Sequence, residues 1–252
     1  MEELVFRNLD EDLGLSNSNV LSILRDPNGM MWYGTAYGLY RYDGTRVKSF
    51  FNSTDTTSIS HNTIIKLAVG PENQLWVKNV NGLFDVFNPE TEKFTRGSIK
   101  YTTQYKLASD AIGMILKDRQ GRFWFTHPQH GISIFDPVQK GTIYLKAGSA
   151  NGSLSSDQIA WLGESPDGMI WSINQAGIIE LIDPNRLIVT RSLKLPKSKI
   201  PDSANYELVM DSEGDAWIFD PERDLGVFWV DGLSHEISTN RENEGLLRLN
   251  NN

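Results

Sequence analysis

The chain alternates short apolar runs with polar turns that are rich in Gly, Pro, Asn and Asp. The runs are five to seven residues long. Short apolar runs bounded by such residues are typical of β-strands, whereas a helix would repeat apolar positions every three to four residues over a longer span. The runs that precede the first turn of each unit are VLSILRD, IIKLAVG, IGMILKD, IAWLGES and YELVMDS. We therefore predict an all-β chain without helical segments.

The strands belong to a repeat that is marked by tryptophan. Five of the seven tryptophans stand 44, 48, 47 and 46 residues apart, at Trp32, Trp76, Trp124, Trp171 and Trp217. Each follows a tight turn and precedes a Gly-aliphatic pair such as Gly38-Leu39, and each unit holds four apolar runs. Four antiparallel strands in a repeat of this length match a β-propeller blade. The predicted fold is a β-propeller built of four-stranded antiparallel blades, with about five blades present.

The repeat also sets the expected boundaries of the blades. These are 19–51, 63–96, 111–146, 158–193 and 205–239 for blades 1 to 5. Residues 4–9 resemble an orphan outer strand, and residues 240–252 correspond to a linker toward a missing blade. An orphan strand usually completes the last blade of a propeller and so hides its open edges. We therefore expect a truncated piece of a larger ring.

The turn ahead of each repeated tryptophan follows the pattern Asp-x-x-Gly. The aspartate can accept hydrogen bonds from the N–H groups of its own turn, and the glycine supplies a positive φ. In the second repeat Asn73 replaces the glycine, and Gly70 and Ser165 replace the aspartate in two turns. We expect those two turns to lose a carboxylate acceptor and to keep their geometry. The aspartates of the other turns are Asp26, Asp118 and Asp211.

Composition excludes several classes of function. There are 24 basic and 32 acidic residues, a net charge of −8 that is spread along the chain, which argues against a nucleic-acid partner. The absence of cysteine excludes disulfides, thiol nucleophiles and thiolate metal sites. The start MEELVFRNLD has no apolar signal region, and no apolar stretch approaches the ~18 residues of a membrane span. We expect no direct membrane contact, with any export signal or anchor outside this sequence.

Residues 13–44, LGLSNSNVLSILRDPNGMMWYGTAYGLYRYDG, resemble the repeat of two-component regulator propellers. The family pattern is a Gly-Leu-Ser, a strand, Asp-x-x-Gly-x-x-Trp-x-Gly-Thr, then Gly-Leu and Tyr-Asp-Gly. Later repeats depart from it, since Gly34-Thr35 is replaced by Lys78-Asn79, Thr126-His127, Ile173-Asn174 and Phe219-Asp220. The resemblance covers residues 4–44 strongly and the rest moderately. It implies the periplasmic sensor region of a hybrid two-component histidine kinase of Bacteroidetes, with tandem seven-bladed rings.

Loops between the second and third strands are the candidate recognition sites. We expect them to collect on one axial face, where propellers usually bind ligands. They are polar or aromatic and differ between blades, although a solvated rim without a binding role is the alternative. The candidate ligand-binding residues are Tyr37, Asn81, His127, His130, Asn174, Gln175 and Arg223.

Other candidate chemistry has a simpler interpretation. His127 and His130 form the one close histidine pair, but a metal site needs a third ligand, so solvated loop histidines are the prediction. The periodic tryptophans are read as core rather than as sugar-stacking platforms. Trp161 and Trp229 break the period, and Trp229 takes the place of Arg41, Asp85 and Ile134 in other blades. For these two we favour extra core packing over ligand contact.

No catalytic motif is recognisable, because the aspartates recur with the period of the blades. The recurring aspartates at strand ends are Asp43, Asp136, Asp183 and Asp231. The resemblance implies a sensor, and the absence of a catalytic motif makes the predicted function a non-catalytic one, without a cofactor or metal. By resemblance its partners are an oligosaccharide, the remaining blades, a second propeller of the same protein and a second copy in a homodimer, and it signals to polysaccharide-utilisation genes. The alternatives are a propeller lyase or glycosidase, which needs two facing carboxylates, and a protein-binding scaffold.

Overall fold

The computed structural model describes residues 19–196, 204–223 and 225–239. These residues contain five four-stranded antiparallel sheets, and the strands of each sheet lie in the order in which they follow along the chain. The predicted orphan strand 4–9 and the linker 240–252 lie outside the described residues. The chain divides into two compact units, Met1–Gln104 with blades 1 and 2 and Tyr105–Asn252 with blades 3 to 5. Each unit is treated by itself below.

The strands of unit 1 are short, and each blade turns back on itself three times. Blade 1 contains β1 (Val20–Arg25), β2 (Met31–Thr35), β3 (Gly38–Tyr42) and β4 (Val47–Phe50), and blade 2 contains β5 (Ile64–Val69), β6 (Leu75–Asn79), β7 (Phe84–Asn88) and β8 (Lys93–Thr95). Every neighbouring pair within a blade is antiparallel.

Unit 2 repeats the same arrangement three times. Blade 3 contains β9 (Ile115–Lys117), β10 (Phe123–His127), β11 (Gly131–Asp136) and β12 (Gly141–Leu145). Blade 4 contains β13 (Ile159–Glu164), β14 (Ile170–Asn174), β15 (Ile178–Asp183) and β16 (Ile188–Lys194). Blade 5 contains β17 (Glu207–Met210), β18 (Ala216–Phe219), β19 (Phe228–Val230) and β20 (Ile237–Thr239).

One short helix corrects the prediction of a chain without helical segments. α1 (Ile99–Gln104) follows blade 2, and the turn Pro71–Asn73 is a single 3₁₀ turn. The ring of Tyr101 in α1 is buried and lies 5.6 Å from the ring of Trp76. A six-residue helix is too short to display a helical apolar period, which explains why the pattern missed it.

The repeated tryptophans form the core, as predicted. Trp32, Trp76, Trp124 and Trp171 are at most 2% exposed, whereas Trp217 in blade 5 is only partly buried. In unit 1 the indole of Trp32 meets the ring of Phe87 edge-on at 5.1 Å. Burial of one such side chain contributes on the order of 2–3 kcal/mol, so the periodic aromatic residues supply much of each blade's stability.

The first turns use their aspartates as predicted where an aspartate is present. Asp26 Oδ1 accepts the N–H groups of Asn28 and Met30 at 2.9 and 3.0 Å, and Gly29 adopts a φ of 85°. The blade 4 turn retains a carboxylate after all, because Asp167 accepts a hydrogen bond from the hydroxyl of Ser165. The carboxylate of this turn is therefore supplied by Asp167, two residues after the position that holds aspartate in three other turns. The remaining predicted acceptors, Asp118 and Asp211, also bind N–H groups of their own turns.

The blade 2 turn does not keep the expected geometry. Glu72 and Asn73 both adopt a positive φ, of 58° and 56°, where other first turns use one glycine. Gly70 still donates its N–H to the carbonyl of Gln74 at 2.8 Å, so the hairpin closes by a different path. The indole of Trp76 fills the space beside Gly70, because a Cβ added there would lie 2.1 Å from Trp76 Nε1.

This packing predicts that restoring the aspartate of the repeat will destabilise blade 2. Gly70→Asp introduces the residue that stands in three other turns, but its Cβ has no room beside Trp76. We expect a loss of about 2 kcal/mol in the free energy of unfolding, typical of overpacking. Urea unfolding measures it, with Ser165→Asp in the matching turn of blade 4 as the control. An unchanged or increased stability of Gly70→Asp would contradict the assignment.

The two tryptophans outside the period pack into blades 4 and 5. Trp161 contacts two apolar clusters of unit 2, and the indole Nε1 of Trp229 donates to Asp215 at 3.1 Å. Trp229 pairs with Trp217, as Arg41 pairs with Trp32, but the residue opposite Trp76 is Val86. The alignment of Trp229 with Asp85 was therefore wrong by one residue. A shift of one residue moves a side chain to the other face of its strand.

Candidate functional site

In unit 1 the loops β2–β3 and β6–β7 lie side by side. Thr63, which precedes β5, donates its hydroxyl to the carbonyl of Ala36 at 3.1 Å, and its own carbonyl accepts the N–H of Val80 at 3.1 Å. Tyr37 is 65% exposed, Val80 51% and Leu83 58%. With the exposed Asn81 they form an aromatic and aliphatic surface, called the Tyr37 patch below: Tyr37, Val80, Asn81 and Leu83.

The equivalent loops of unit 2 also follow one another. Gly131 donates its N–H to the carbonyl of Asp157, and Gln175 donates to the carbonyl of the next residue, Gln158. The carbonyl of Gln175 in turn accepts the N–H of Ala204, which leads into blade 5. His130 and Arg223 are exposed and Gln175 is partly exposed, so these three predicted residues present side chains to solvent.

Two of the predicted recognition residues serve the interior of their blades. His127 is fully buried rather than solvated, with Nδ1 2.9 Å from the carbonyl of Ala111 and Nε2 2.8 Å from the hydroxyl of Ser133. Burial lowers the pKa of His127, which favours the neutral imidazole. Asn174 is 1% exposed, and its Oδ1 accepts two N–H groups of its own turn. Their side chains are engaged in structural contacts, so the exposed loop residues carry the hypothesis of recognition.

His127 and Asn174 share a position that recurs in every blade, three residues after the repeated tryptophan. Four of its five residues accept N–H groups of the turn that follows the second strand. Four also bind the segment that precedes the first strand of their own blade, as Asn79 does through the hydroxyl of Ser60. In the sequence the replacements of Thr35 at this position depart from the family pattern, whereas every blade keeps at least one of the two contacts, with four side-chain chemistries. Its residues are Thr35, Asn79, His127, Asn174 and Asp220.

A second buried link escaped the sequence analysis altogether. In blades 2, 3 and 4 a third-strand side chain accepts the N–H of the residue 25 positions earlier. Asp85 accepts both the N–H and the hydroxyl of Ser60, and Glu180 accepts the N–H of Ser155. The spacing of 25 residues was visible in the sequence, but the acceptor changes from Asp to Ser to Glu. The acceptors are Asp85, Ser133 and Glu180.

The ionisable groups divide into solvated caps and buried residues. Hydrogen bonds from the backbone of Arg46, and from Thr45, lower the pKa of the exposed Asp43 to about 2, as expected for a strand-end cap. Burial raises the pKa of Glu180, only one of whose carboxylate oxygens accepts a hydrogen bond. Burial lowers the pKa of Lys78, whose Nζ lies 5.5 Å from the ring centre of Phe84. Of these three groups only Asp43 lines any of the cavities described below.

Three cavities among the described residues are lined by residues outside the predicted recognition set. They have volumes of about 200, 450 and 310 Å³, and none of the seven predicted recognition residues lines them. Among the described residues no cluster of His, Asp or Glu could hold a metal ion. No described helix is long and apolar enough to cross a membrane. The Tyr37 patch is a surface rather than an enclosed pocket.

Residues 14–37 match the family model of the two component regulator propeller. The chain carries a two component regulator propeller repeat. This match confirms the resemblance recognised in residues 13–44, and it ends at Tyr37. Comparison with the curated proteins gives no match.

Solved structures share the fold of this chain. Two extracellular domains of hybrid two component systems from B. thetaiotaomicron have TM-scores of 0.52 and 0.51 at 18% and 19% identity, covering 95% and 92% of this chain. The chain spans only 38% and 36% of their lengths. Virginiamycin B lyase from Staphylococcus aureus has a TM-score of 0.57 at 14% identity, with 87% of this chain and 68% of the lyase covered. The predicted β-propeller fold is confirmed.

Proposed function

We propose that this chain is a ligand-sensing part of a two-component sensor and that it acts outside the cytoplasm. The matched repeat and the two extracellular sensor domains support this role. The periodic use of carboxylates as caps and links supports a non-catalytic part. In the proposal the remaining blades and a second propeller of the same protein complete the sensor, and a hybrid histidine kinase transmits its signal to polysaccharide-utilisation genes.

The ligand in this proposal is an oligosaccharide that is bound at the Tyr37 patch. The exposed ring of Tyr37 offers an apolar face of the kind that packs against a pyranose ring, and Val80 and Leu83 extend that face. The amide of Asn81 supplies a donor and an acceptor for sugar hydroxyls. The single observation that carries the proposal is the placement of these exposed side chains on two loops joined through Thr63.

Signalling requires that the ligand favours one of two states of the sensor. A ligand that binds two states equally shifts no equilibrium between them. We propose that the states are two arrangements of a homodimer, and that binding at the loops favours one of them. In unit 2 His130, Gln175 and Arg223 present side chains to solvent and are proposed as a separate set of oligosaccharide contacts.

Replacing the exposed aromatic ring tests this site. We expect Tyr37→Ala to weaken oligosaccharide binding about tenfold or more, the typical loss when an aromatic contact worth about 1.4 kcal/mol is removed. Tyr37→Phe keeps the ring and retains most of the affinity. Thermal-shift screening of the chain and of the full sensor region with an oligosaccharide library identifies the ligand, and titration calorimetry compares the variants.

Tyr144→Ala is the matched control, because Tyr144 is 45% exposed in unit 2 on the outer strand β12. It leaves binding unchanged. Saturable stabilisation without product supports sensing, whereas release of new reducing ends shows a glycosidase or lyase. A full sensor region that responds to no saccharide favours the scaffold alternative. If Tyr37→Ala and the unchanged chain bind the oligosaccharide with equal affinity, the proposal that the ligand binds at the Tyr37 patch is wrong.

A further inference from the structure

Unit 1 contains a groove at the end of β2 that lies opposite the Tyr37 patch. The groove is a cavity of about 200 Å³ between the first turns of blades 1 and 2. Apolar side chains, among them Met30, Trp32 and Phe87, form most of its lining, and Asp26 and Arg41 are its charged residues. We call this cavity the blade 1–2 groove. Its full lining is Asp26, Asn28, Met30, Trp32, Arg41, Val69, Asn73, Leu75, Phe87 and Pro89.

In unit 2 the corresponding space between blades 3 and 4 holds the guanidinium of Arg122. Its Nε donates to Asp118 Oδ2 at 2.8 Å, and its Nη2 makes an ion pair with the same oxygen at 2.7 Å. Its Nη1 donates to the carbonyl of Pro184 in blade 4 at 2.6 Å. The guanidinium carbon lies 5.7 Å from the ring centre of Trp124. A carboxylate, an indole and a carbonyl therefore surround one guanidinium.

The blade 1–2 groove repeats these surroundings, but among the described residues no guanidinium pairs with its aspartate. The guanidinium carbon of Arg41 lies 5.5 Å from the ring centre of Trp32, and its carboxylate partner is Glu92 rather than Asp26. Asp26, Trp32 and Pro89 stand at the repeat positions of Asp118, Trp124 and Pro184. The indole Nε1 of Trp32 donates to Asp26 Oδ2 at 2.8 Å, the same distance as Trp124 Nε1 to Asp118. Met30 replaces Arg122, two residues before the tryptophan, and a thioether cannot donate a hydrogen bond.

Of the two charged residues in the lining, Arg41 forms an ion pair and Asp26 forms none among the described residues. All three hydrogen bonds that Asp26 accepts come from neutral groups, the N–H groups of Asn28 and Met30 and the indole of Trp32. The other charged lining residue, Arg41, is already paired with Glu92 at 2.7 Å. An incoming cation would therefore supply the charged partner that Asp118 has and Asp26 lacks.

We propose that the blade 1–2 groove binds an alkylguanidinium group, supplied by an arginine side chain of a peptide or by a small guanidine compound. The guanidinium donates to Asp26 and to the carbonyl of Pro89 beside the indole of Trp32, and its alkyl part packs on Met30 and Leu75. The volume of about 200 Å³ exceeds the ~30 Å³ share of one water several-fold and falls below the ~300 Å³ of drug-sized pockets. A single side chain matches this size.

Ethylguanidinium and its neutral isostere ethylurea test the proposal. We expect saturable binding of ethylguanidinium by titration calorimetry and at least tenfold weaker binding of ethylurea. Met30→Arg places an internal guanidinium in the groove and abolishes binding, whereas Val138→Arg adds the same charge at a residue that is 87% exposed in unit 2 and leaves binding unchanged. Equal affinity for the two probes, or full binding by Met30→Arg, overturns the proposal.

A rescue experiment and a peptide complete the test. Arg122→Met removes the guanidinium of unit 2, so ethylguanidinium should raise the Tm of this variant more than that of the unchanged chain, and ethylurea should not. The absence of any such rescue contradicts the equivalence of the two grooves. Tighter binding of acetyl-Gly-Arg-Gly-amide than of ethylguanidinium assigns the group to a peptide. Equal or weaker binding of the peptide assigns it to a small molecule.

Discussion

Arg122→Met is expected to lower the free energy of unfolding by about 3 kcal/mol, because it removes one partner of a buried ion pair. The side chain of Asp118 is 1% exposed and that of Arg122 12%. Methionine keeps the apolar stem of the arginine but donates no hydrogen bond, so the Asp118 carboxylate stays buried without its cation, and the Pro184 carbonyl loses a donor. Urea unfolding at neutral pH, followed by tryptophan fluorescence, measures the loss.

Arg119→Met is the matched control, three residues earlier in the same turn. Arg119 is 56% exposed, its ion-pair contact with Glu164 is long at 4.0 Å, and its hydrogen bond to the carbonyl of Pro166 is exposed to solvent. Exposed ion pairs contribute about 0–1 kcal/mol, so this variant should unfold close to the unchanged chain. Equal losses of unfolding free energy for the two variants would show that the buried Arg122–Asp118 pair stabilises the protein no more than an exposed pair does. Such a result would also weaken the comparison of the two grooves, since that comparison assumes that the Arg122 guanidinium is held by its partners.

The features that the sequence predicted correctly are the local ones. A strand can be predicted from residues that are adjacent in the chain. The glycines of the first turns can be predicted because the turn requires a positive φ, as at Gly29 and Gly121. Tryptophan marks each blade because no smaller residue fills the same space between sheets, and Trp32 and Trp124 are almost fully buried. The repeat itself therefore follows from local patterns.

The roles of individual polar residues were harder to predict because they depend on partners far along the chain. His127 had the residue type of a recognition site, but its ring binds Ala111 and Ser133, sixteen and six residues away. Hydroxyl, amide and carboxylate groups at this position accept N–H groups of the following turn, whereas the imidazole of His127 binds only the preceding segment and the third strand. When different residue types make the same contact, the sequence shows only a change of residue, and the repeat looks degenerate at that position. Tyr37 and Asn81, by contrast, are exposed and stay candidates for recognition.

The buried links between strands and preceding segments suggest how a blade keeps its position. In blade 2 the segment ahead of β5 is fixed by the fully buried Ile59 and by Ser60, which binds both Asn79 and Asp85. In blade 4 Leu154 and Ser155 play the same parts with Asn174 and Glu180. Thr63, which hydrogen-bonds to both loops of the Tyr37 patch, stands three residues after Ser60, so the link also supports the proposed recognition surface.

Asp85→Ala is expected to lower the free energy of unfolding by about 3–4 kcal/mol. Asp85 is fully buried and accepts three hydrogen bonds, from the N–H and hydroxyl of Ser60 at 2.6 and 2.7 Å and from the N–H of Gly97 at 3.0 Å. Alanine leaves these donors without their acceptor, and each unsatisfied buried donor costs about 1–3 kcal/mol. The hydroxyl of Ser60 can turn toward other acceptors, which places the total below the full sum. Urea unfolding measures the loss.

Glu180→Gln in blade 4 is the matched control and should behave in the opposite way. Glutamine keeps an oxygen for the N–H of Ser155, and it removes a carboxyl group whose pKa burial raises. A raised pKa means that Glu180 is most compatible with folding below its unfolded pKa and costs stability as it ionises at higher pH. The Glu180→Gln variant should therefore be at least as stable as the unchanged chain at pH 7, and its stability should fall less with rising pH.

If Asp85→Ala and Glu180→Gln both left the free energy of unfolding unchanged, the links of 25-residue spacing would follow from the fold without stabilising it. A large loss for Asp85→Ala alone shows that the carboxylate of blade 2 holds Ser60, and with it the segment that leads to Thr63 and the Tyr37 patch.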